Sequence, residues 1–138
     1  MNINLSRAIL AGVIGTIVMT VMSVLIAPMM GMPAMNPAEM LAGQMGGNIM
    51  MGWAAHFMVG IVLAVLYALV ASRLPGPAAV RGALFGLAPW LLAQAVMMPM
   101  MGMGMFSGSM MLAGGSLVGH LLYGGTVGLV YGVPTSSN

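Results

Sequence analysis

The chain has 138 residues, of which 61% are hydrophobic and 3% charged, and its formal net charge at pH 7 is +2. Soluble domains carry about 25% charged residues, so this surface is too poor in charge for water and indicates a lipid bilayer as the solvent. The charge is too small and too scattered to favour nucleic-acid binding. The absence of Cys excludes disulfides and thiolate metal sites.

Four apolar stretches are long enough to cross the hydrocarbon core as helices, which takes about 20 residues each. They cover about 5–27, 50–72, 79–98 and 110–132. Prolines mark their boundaries, whereas Pro89 lies inside the third stretch and predicts a kink there. The first stretch is too long for a signal peptide, and no A-x-A cleavage site follows it. We therefore predict an all-α membrane protein with four retained transmembrane helices in one domain, 1–138.

The first outer loop contains a predicted short helix. Asn36, followed by Pro37 and by Glu39 at the third helical position, is a typical helix start. This helix should continue to about Gln44 and end at the following Gly46-Gly47 pair. The second loop, 105–109, is shorter and predicts only a turn.

The arginines set the predicted orientation. Arg7 precedes the first span, and Arg73 and Arg81 flank the turn between the second and third spans. In a four-span topology all three lie on one face, which the positive-inside rule makes cytoplasmic. We therefore expect both termini in the cytoplasm and the protein in the bacterial inner membrane.

The chain is also an internal repeat of one helical hairpin. The five residues Pro28-Met29-Met30-Gly31-Met32 recur as Pro99-Met100-Met101-Gly102-Met103. A motif H-x3-G-x3-small-x2-Y-small begins at His56 in the second span and at His120 in the fourth. Fixed-period similarity of this kind indicates repeated structural units. We predict two tandem parallel hairpins, about 5–72 and 78–133, related by a pseudo-two-fold axis along the membrane normal.

Small residues in these motifs recur every four positions and form a ridge on each helix. The predicted packing residues are Gly60, Ala64 and Ala68 in the second span, and Gly124, Gly128 and Gly132 in the fourth. Small residues let membrane helices approach each other closely. We therefore expect the second and fourth helices to meet along these ridges and to bring the two imidazoles together.

An ionisable side chain within a span is a candidate functional residue, and His56 and His120 are the two in this chain. Seventeen of the 20 Met lie in 29–58 or 97–111, at or near the predicted outer side. Imidazole and thioether are suitable ligands for Cu(I). The candidate metal ligands are therefore the two histidines with Met30, Met32, Met101 and Met103.

Other interpretations of the histidines remain open. Each imidazole could simply hydrogen-bond between helices, to Ser116, Gln94 or a backbone carbonyl, with Met filling space as a flexible apolar residue. Two histidines beside glycines could instead ligate haem b or a chlorin pigment. The small bundle could also be an accessory subunit of a larger membrane complex. No acid pair and no Ser-His-Asp set is present, so we expect no catalysis.

Three segments resemble a family of short bacterial inner-membrane proteins. They are Gly52-Trp53-Ala54-Ala55-His56-Phe57, Pro99-Met100-Met101-Gly102 and Gly119-His120-Leu121-Leu122-Tyr123-Gly124. The similarity covers about 10–132. It implies a membrane fold of four helices in which both His motifs matter, and it brings no assigned activity.

Overall fold

Apolar runs between capping residues and prolines produce the helices of this protein. The computed structural model describes residues 3–132, and within that range it contains helices and no strand. The helices are α1 Leu5–Met29, α2 Pro37–Gln44, α3 Ile49–Arg73, α4 Ala78–Met100 and α5 Met110–Tyr131. Each long helix begins and ends within two residues of the corresponding predicted stretch.

Short polar side chains begin four of these helices. Asn4, Asn36, Asn48 and Ser109 each accept a hydrogen bond from a backbone N–H in the first turn that follows. Such N-caps satisfy donors that have no partner within the helix. The bounds of the helices are therefore local properties of the sequence.

Among the described residues, three helices are long and apolar enough to cross a membrane: α1, α3 and α4, with 25, 25 and 23 residues. The predicted fourth span, α5, has 22 residues but is not apolar enough to join this set. Its composition is the physical reason. Besides His120, α5 contains six glycines, which contribute little hydropathy: Gly114, Gly115, Gly119, Gly124, Gly125 and Gly128.

The short helix predicted in the first loop is confirmed as α2. Asn36 accepts a hydrogen bond from the N–H of Ala38 at 3.0 Å, and Glu39 accepts one from the Asn36 amide at 3.0 Å. Gly46 and Gly47, with φ of 75° and 82°, end the helix in the left-handed conformation that glycine adopts readily. The helix packs against the start of α3, where Ala42 lies against Gly52.

The first and fourth helices share an uncommon backbone feature. In each, a π-helical segment precedes the proline corner, Met22–Ile26 in α1 and Ala93–Met97 in α4. These segments occupy equivalent positions in the predicted repeat. The helix α4 continues through Pro89 and becomes π-helical from Ala93. Such π-bulges are frequent at functional sites.

The two P-M-M-G-M corners also have the same backbone structure. Gly31 and Gly102 have φ of 82° and 77°, and their N–H groups donate to the carbonyls of Pro28 and Pro99, each at 3.0 Å. Glycine is favoured at these positions because other residues rarely adopt a positive φ. The sequence repeat is thus also a repeat of backbone conformation.

Helix packing follows the order α3, α1, α5, α4. The α1 helix contacts both α3 and α5 extensively, and α4 packs mainly on α5. By contrast, α3 makes only marginal contacts with α4 and with α5. The bundle is therefore tight around α1 and α5 and loose between α3 and α4.

The expectation that α3 and α5 meet along their small-residue ridges is wrong. Gly60 and Ala64 of α3 instead lie against Gly12 of α1, and a Cβ added at Gly60 would overlap the Thr16 hydroxyl. Each ridge packs within its own hairpin because the neighbouring helix of that hairpin presents a small residue opposite it.

The small-residue ridge of α5 also packs within its own hairpin. Gly124 and Gly128 lie directly against the backbone of Gly82 on α4, and a Cβ at either position would overlap backbone atoms. Ala68 is a buried residue of the hydrophobic core. Gly132 is not a ridge residue: it ends α5 with φ of 82° and lies against the Arg7 guanidinium.

Arginines cap two helices at the end of the bundle that we call the arginine end. Arg7 donates from Nε to the carbonyl of Val130 at 2.9 Å, at the end of α5. Arg81 donates to the carbonyl of Ala71 at 3.4 Å, near the end of α3, and to that of Gly76 at 2.6 Å, in the turn that follows. Cations at helix C-termini satisfy free carbonyls and favour the helix dipole. The opposite end, formed by α2 and the two P-M-M-G-M corners, is the methionine end.

The contact between α4 and α5 gives a first prediction. Replacing Gly124→Ala should destabilise the protein by about 1–3 kcal/mol, because the added methyl overlaps the Gly82 backbone. The adjacent Gly125→Ala is the matched control, since its Cβ would lie 3.7 Å from the nearest atom, the Ala79 carbonyl oxygen. Thermal unfolding in mild detergent, followed by circular dichroism, measures both. Equal stability of the two variants would contradict the packing described above.

Candidate functional site

A cavity of ≈ 390 Å³ lies between α1, α3, α4 and α5, and the segment 32–41 also lines it. Its walls are mostly apolar. The polar side chains that line it are Thr16, Ser23, His56, Ser116, His120 and Tyr123. A concave apolar cavity with a few convergent polar groups is the usual form of a small-molecule or cofactor site.

The loose packing of α3 creates this cavity. Since α3 contacts α4 and α5 only marginally, space remains in the half of the bundle toward the methionine end. Tyr123 of α5 bridges to α3 with a hydroxyl that donates to the Gly60 carbonyl at 2.5 Å. Tyr123 lines the cavity and is buried. Tyr123 is not among the predicted site residues, because no local signal in the sequence distinguishes it from an aromatic anchor.

His56 lines the cavity from α3 and is fixed by a contact with α1. Its Nε2 atom lies 3.0 Å from the hydroxyl of Thr20, which donates its proton to the Thr16 carbonyl at 2.8 Å. A hydroxyl has one proton, and with that proton on the Thr16 carbonyl, Thr20 accepts from His56 Nε2–H. The Nδ1 atom of His56 therefore carries the unshared pair.

His120 lines the cavity from α5 and is fixed by its own helix. Its Nδ1 atom lies 2.8 Å from the backbone carbonyl of Ser116. A carbonyl only accepts, so Nδ1 carries the proton and Nε2 the unshared pair. Histidines that ligate metals commonly donate their other N–H to a carbonyl in this way. Both imidazoles thus present an acceptor nitrogen that makes no hydrogen bond within residues 3–132.

A polar chain connects His120 to the second outer turn. Ser107 donates from its hydroxyl to Gln94 Oε1 at 2.8 Å, and Gln94 Nε2 donates to the Ser116 hydroxyl at 3.2 Å. Gln94 is completely buried. Because each amide and hydroxyl group in this chain finds a partner, burial of Gln94 costs little free energy.

The second outer turn, Met105–Gly108, is more specialised than the plain turn predicted. Phe106 and Ser107 both have positive φ, 53° and 58°, which is uncommon for residues other than glycine. This conformation accompanies the hydrogen bond from Ser107 to Gln94. Sequence reasoning missed Ser107, since no turn motif predicts two consecutive left-handed residues with side chains.

The candidate methionine ligands separate into two pairs. Met32 and Met101 line the cavity together with both histidines, whereas Met30 and Met103 do not and are 68% and 37% exposed. Six further methionines line the cavity: Met19, Met35, Met40, Met97, Met98 and Met111. Thioether sulfurs are therefore the most numerous side-chain atoms lining the cavity that could ligate a metal ion.

Harder ligands are scarce at this site. Within residues 3–132 no group of three or more His, Cys, Asp or Glu side chains is close enough to hold a metal ion. Glu39 is exposed on α2 and bonded to Asn36. The soft ligand atoms that line this cavity are therefore imidazole nitrogens and thioether sulfurs.

The comparisons with known proteins identify a family without assigning a role. No curated protein and no solved structure matches the chain significantly. A family model described as "Family of unknown function (DUF6789)" matches residues 3–138. The match covers nearly the whole chain and agrees with the resemblance to a family of no assigned activity. This chain therefore belongs to the DUF6789 family.

Proposed function

We propose that this chain is an integral membrane protein that binds Cu(I) through His56, His120, Met32 and Met101. The observation that supports it best is that both imidazoles and one thioether from each P-M-M-G-M corner line the same apolar cavity. Each imidazole also has one nitrogen with an unshared pair that makes no hydrogen bond in the described chain. Two nitrogens and two sulfurs form a complete set of ligands for a soft cation.

The proposed topology has four transmembrane helices, with α5 as the fourth. The glycines Gly124 and Gly128 of α5 face α4, so their low hydropathy serves packing within the bundle. Two parallel hairpins related by a pseudo-two-fold axis account for the matching π-helical segments and corners. The arginine end is cytoplasmic by the positive-inside rule, and we assign the protein to the bacterial inner membrane. The metal then lies toward the outer side.

Ligand softness favours Cu(I) over other ions. Thioether sulfur binds Cu(I) well and discriminates against hard cations such as Mg²⁺ and Ca²⁺, which need oxygen ligands. The side chains around the cavity supply sulfur and imidazole and no carboxylate.

Haem b is less well supported as an occupant. Its propionates usually require cations, and Arg7 and Arg81 lie at the arginine end, away from the cavity. In addition, the Nε2 atom of His56 is already bonded to Thr20. Cu(I) accepts either ring nitrogen of a histidine, so this tautomer does not oppose copper binding.

Replacing both histidines tests the site directly. The double variant His56→Leu, His120→Leu should lose the copper that the unaltered protein retains at about one ion per chain, because imidazole supplies half of the proposed ligands. Mass spectrometry of metals on protein purified from its native membrane measures copper and iron per chain. Helical content and elution volume serve as controls for folding.

Three outcomes would contradict this proposal. Full copper content in the double variant would show that the ion binds elsewhere. About one iron per chain in the unaltered protein would favour haem b. Absence of both metals would leave the histidines as contacts between helices and would favour an accessory subunit in a larger complex.

The methionine pairs provide a matched comparison. Met32→Leu with Met101→Leu should weaken Cu(I) binding at least about tenfold, or about 1.4 kcal/mol, because both thioethers line the cavity. Met30→Leu with Met103→Leu should leave the affinity unchanged, since neither side chain lines it. Met-to-Leu changes conserve volume and are usually tolerated. Competition with a chromogenic Cu(I) chelator measures both affinities, and equal losses would contradict the assignment.

A further inference from the structure

The cavity is much larger than a metal site requires. Its ≈ 390 Å³ falls within the range of about 300–1,000 Å³ that is typical of pockets for small organic molecules. A metal ion held by four side chains would occupy a small part of this space. The remaining volume is bounded mainly by apolar groups, which bind apolar surface and not water.

The tautomers of the two histidines determine which hydrogen-bonding groups an organic ligand needs. His56 uses its ring N–H on Thr20, and His120 uses its ring N–H on the Ser116 carbonyl. Both imidazoles line the cavity, and each has one nitrogen with an unshared pair and no N–H left to donate. A ligand that carries only carbonyl oxygens therefore finds no donor on either imidazole. A ligand with two hydroxyl groups can donate one hydrogen bond to each imidazole.

A gap between α3 and α4 gives the cavity an opening toward the side of the bundle. These two helices contact each other only marginally, although the equivalent pair in the repeat, α1 and α5, packs extensively. Val59 of α3 and Leu92 of α4 line the cavity and are also 48% and 58% exposed. In the proposed topology this opening faces the acyl chains of the bilayer, and not water.

From these observations we infer that the metal-free cavity binds a lipophilic hydroquinone. The aromatic ring lies among the apolar walls, the two hydroxyls donate to His56 and His120, and the apolar tail leaves between α3 and α4 into the lipid. This inference goes beyond the Cu(I) proposal and needs only the proposed membrane topology. Since both occupants use the same nitrogens, copper and hydroquinone exclude each other.

The test uses metal-free protein in phosphatidylcholine nanodiscs and 2-decylhydroquinone as the probe. Quenching of tryptophan fluorescence reports binding, because the Trp53 ring lies 6.2 Å from the His56 ring. We expect saturable binding that is absent from empty nanodiscs. The dimethyl ether of the probe has the same ring and tail without donors, and it should bind at least about tenfold more weakly. Equal affinity for the two compounds would overturn the inference.

A pair of variants on α3 tests the lateral opening. Val59→Phe should weaken hydroquinone binding at least about tenfold, because the larger side chain fills the opening. Val62→Phe is the matched control, since Val62 is 51% exposed on the same helix and does not line the cavity. Equal affinities of the two variants would overturn the proposed route of the tail.

Different experimental results would overturn the copper proposal and the hydroquinone inference. Absence of copper binding in unaltered protein that does bind the hydroquinone would overturn only the metal site. Copper binding in a protein that shows no saturable binding of the hydroquinone would overturn only this inference. If both occupants bind, added Cu(I) should displace the hydroquinone, and binding of both at once would overturn the shared use of the two imidazoles.

Discussion

Close approach of helix backbones at small residues is the contact on which the rest of this structure depends. Gly60 meets Thr16 of α1, and Gly124 meets Gly82 of α4, with no room for a side chain at either glycine. Each contact holds the two helices of one hairpin together. In the proposed bilayer environment, where lipid tails are as apolar as the side chains, such contacts replace the hydrophobic effect as the source of helix association. Because the small residues are used within hairpins, little remains to hold α3 against α4 or α5, and the cavity results.

Polar groups in this apolar interior are satisfied locally, and that gives the cavity its chemical character. The hydroxyl of Thr20 and the carbonyl of Ser116 each accept one ring N–H of a histidine. A buried polar group without a partner is costly, so these bonds hold each imidazole in one tautomer. The consequence is a pair of acceptor nitrogens in an apolar space rich in thioethers. Such a site suits soft cations or hydrogen-bond donors and does not suit anions.

The two halves share backbone conformation but not packing. Equivalent π-helical segments and corners show that each half repeats the same local structure. Nevertheless α1 packs on α5 while its equivalent, α4, hardly contacts α3. Side chains that differ between the halves accompany this asymmetry: Gln94 is buried in a chain of hydrogen bonds, whereas its counterpart Ser23 donates to the nearby Thr20 carbonyl. The lateral opening therefore exists because the close contact of α1 with α5 is not repeated between α4 and α3.

The sequence by itself determined the bounds of the helices, the short helix α2 and the repeated corners. Each depends on neighbours in the chain: an Asn cap at Asn36, an apolar run, or a glycine such as Gly31 that adopts a positive φ. It also identified His56 and His120 as exceptional. Only the tertiary structure decided which helices pair, which methionines of each corner line the cavity, and which ring nitrogen of each histidine is free. These properties depend on contacts between residues far apart in the chain, such as Thr20 with His56 and Gly82 with Gly124. A ridge of small residues predicts close packing against another helix. Several helices of this bundle have small residues that could pack there, and the contacts across the whole bundle decide which helix does.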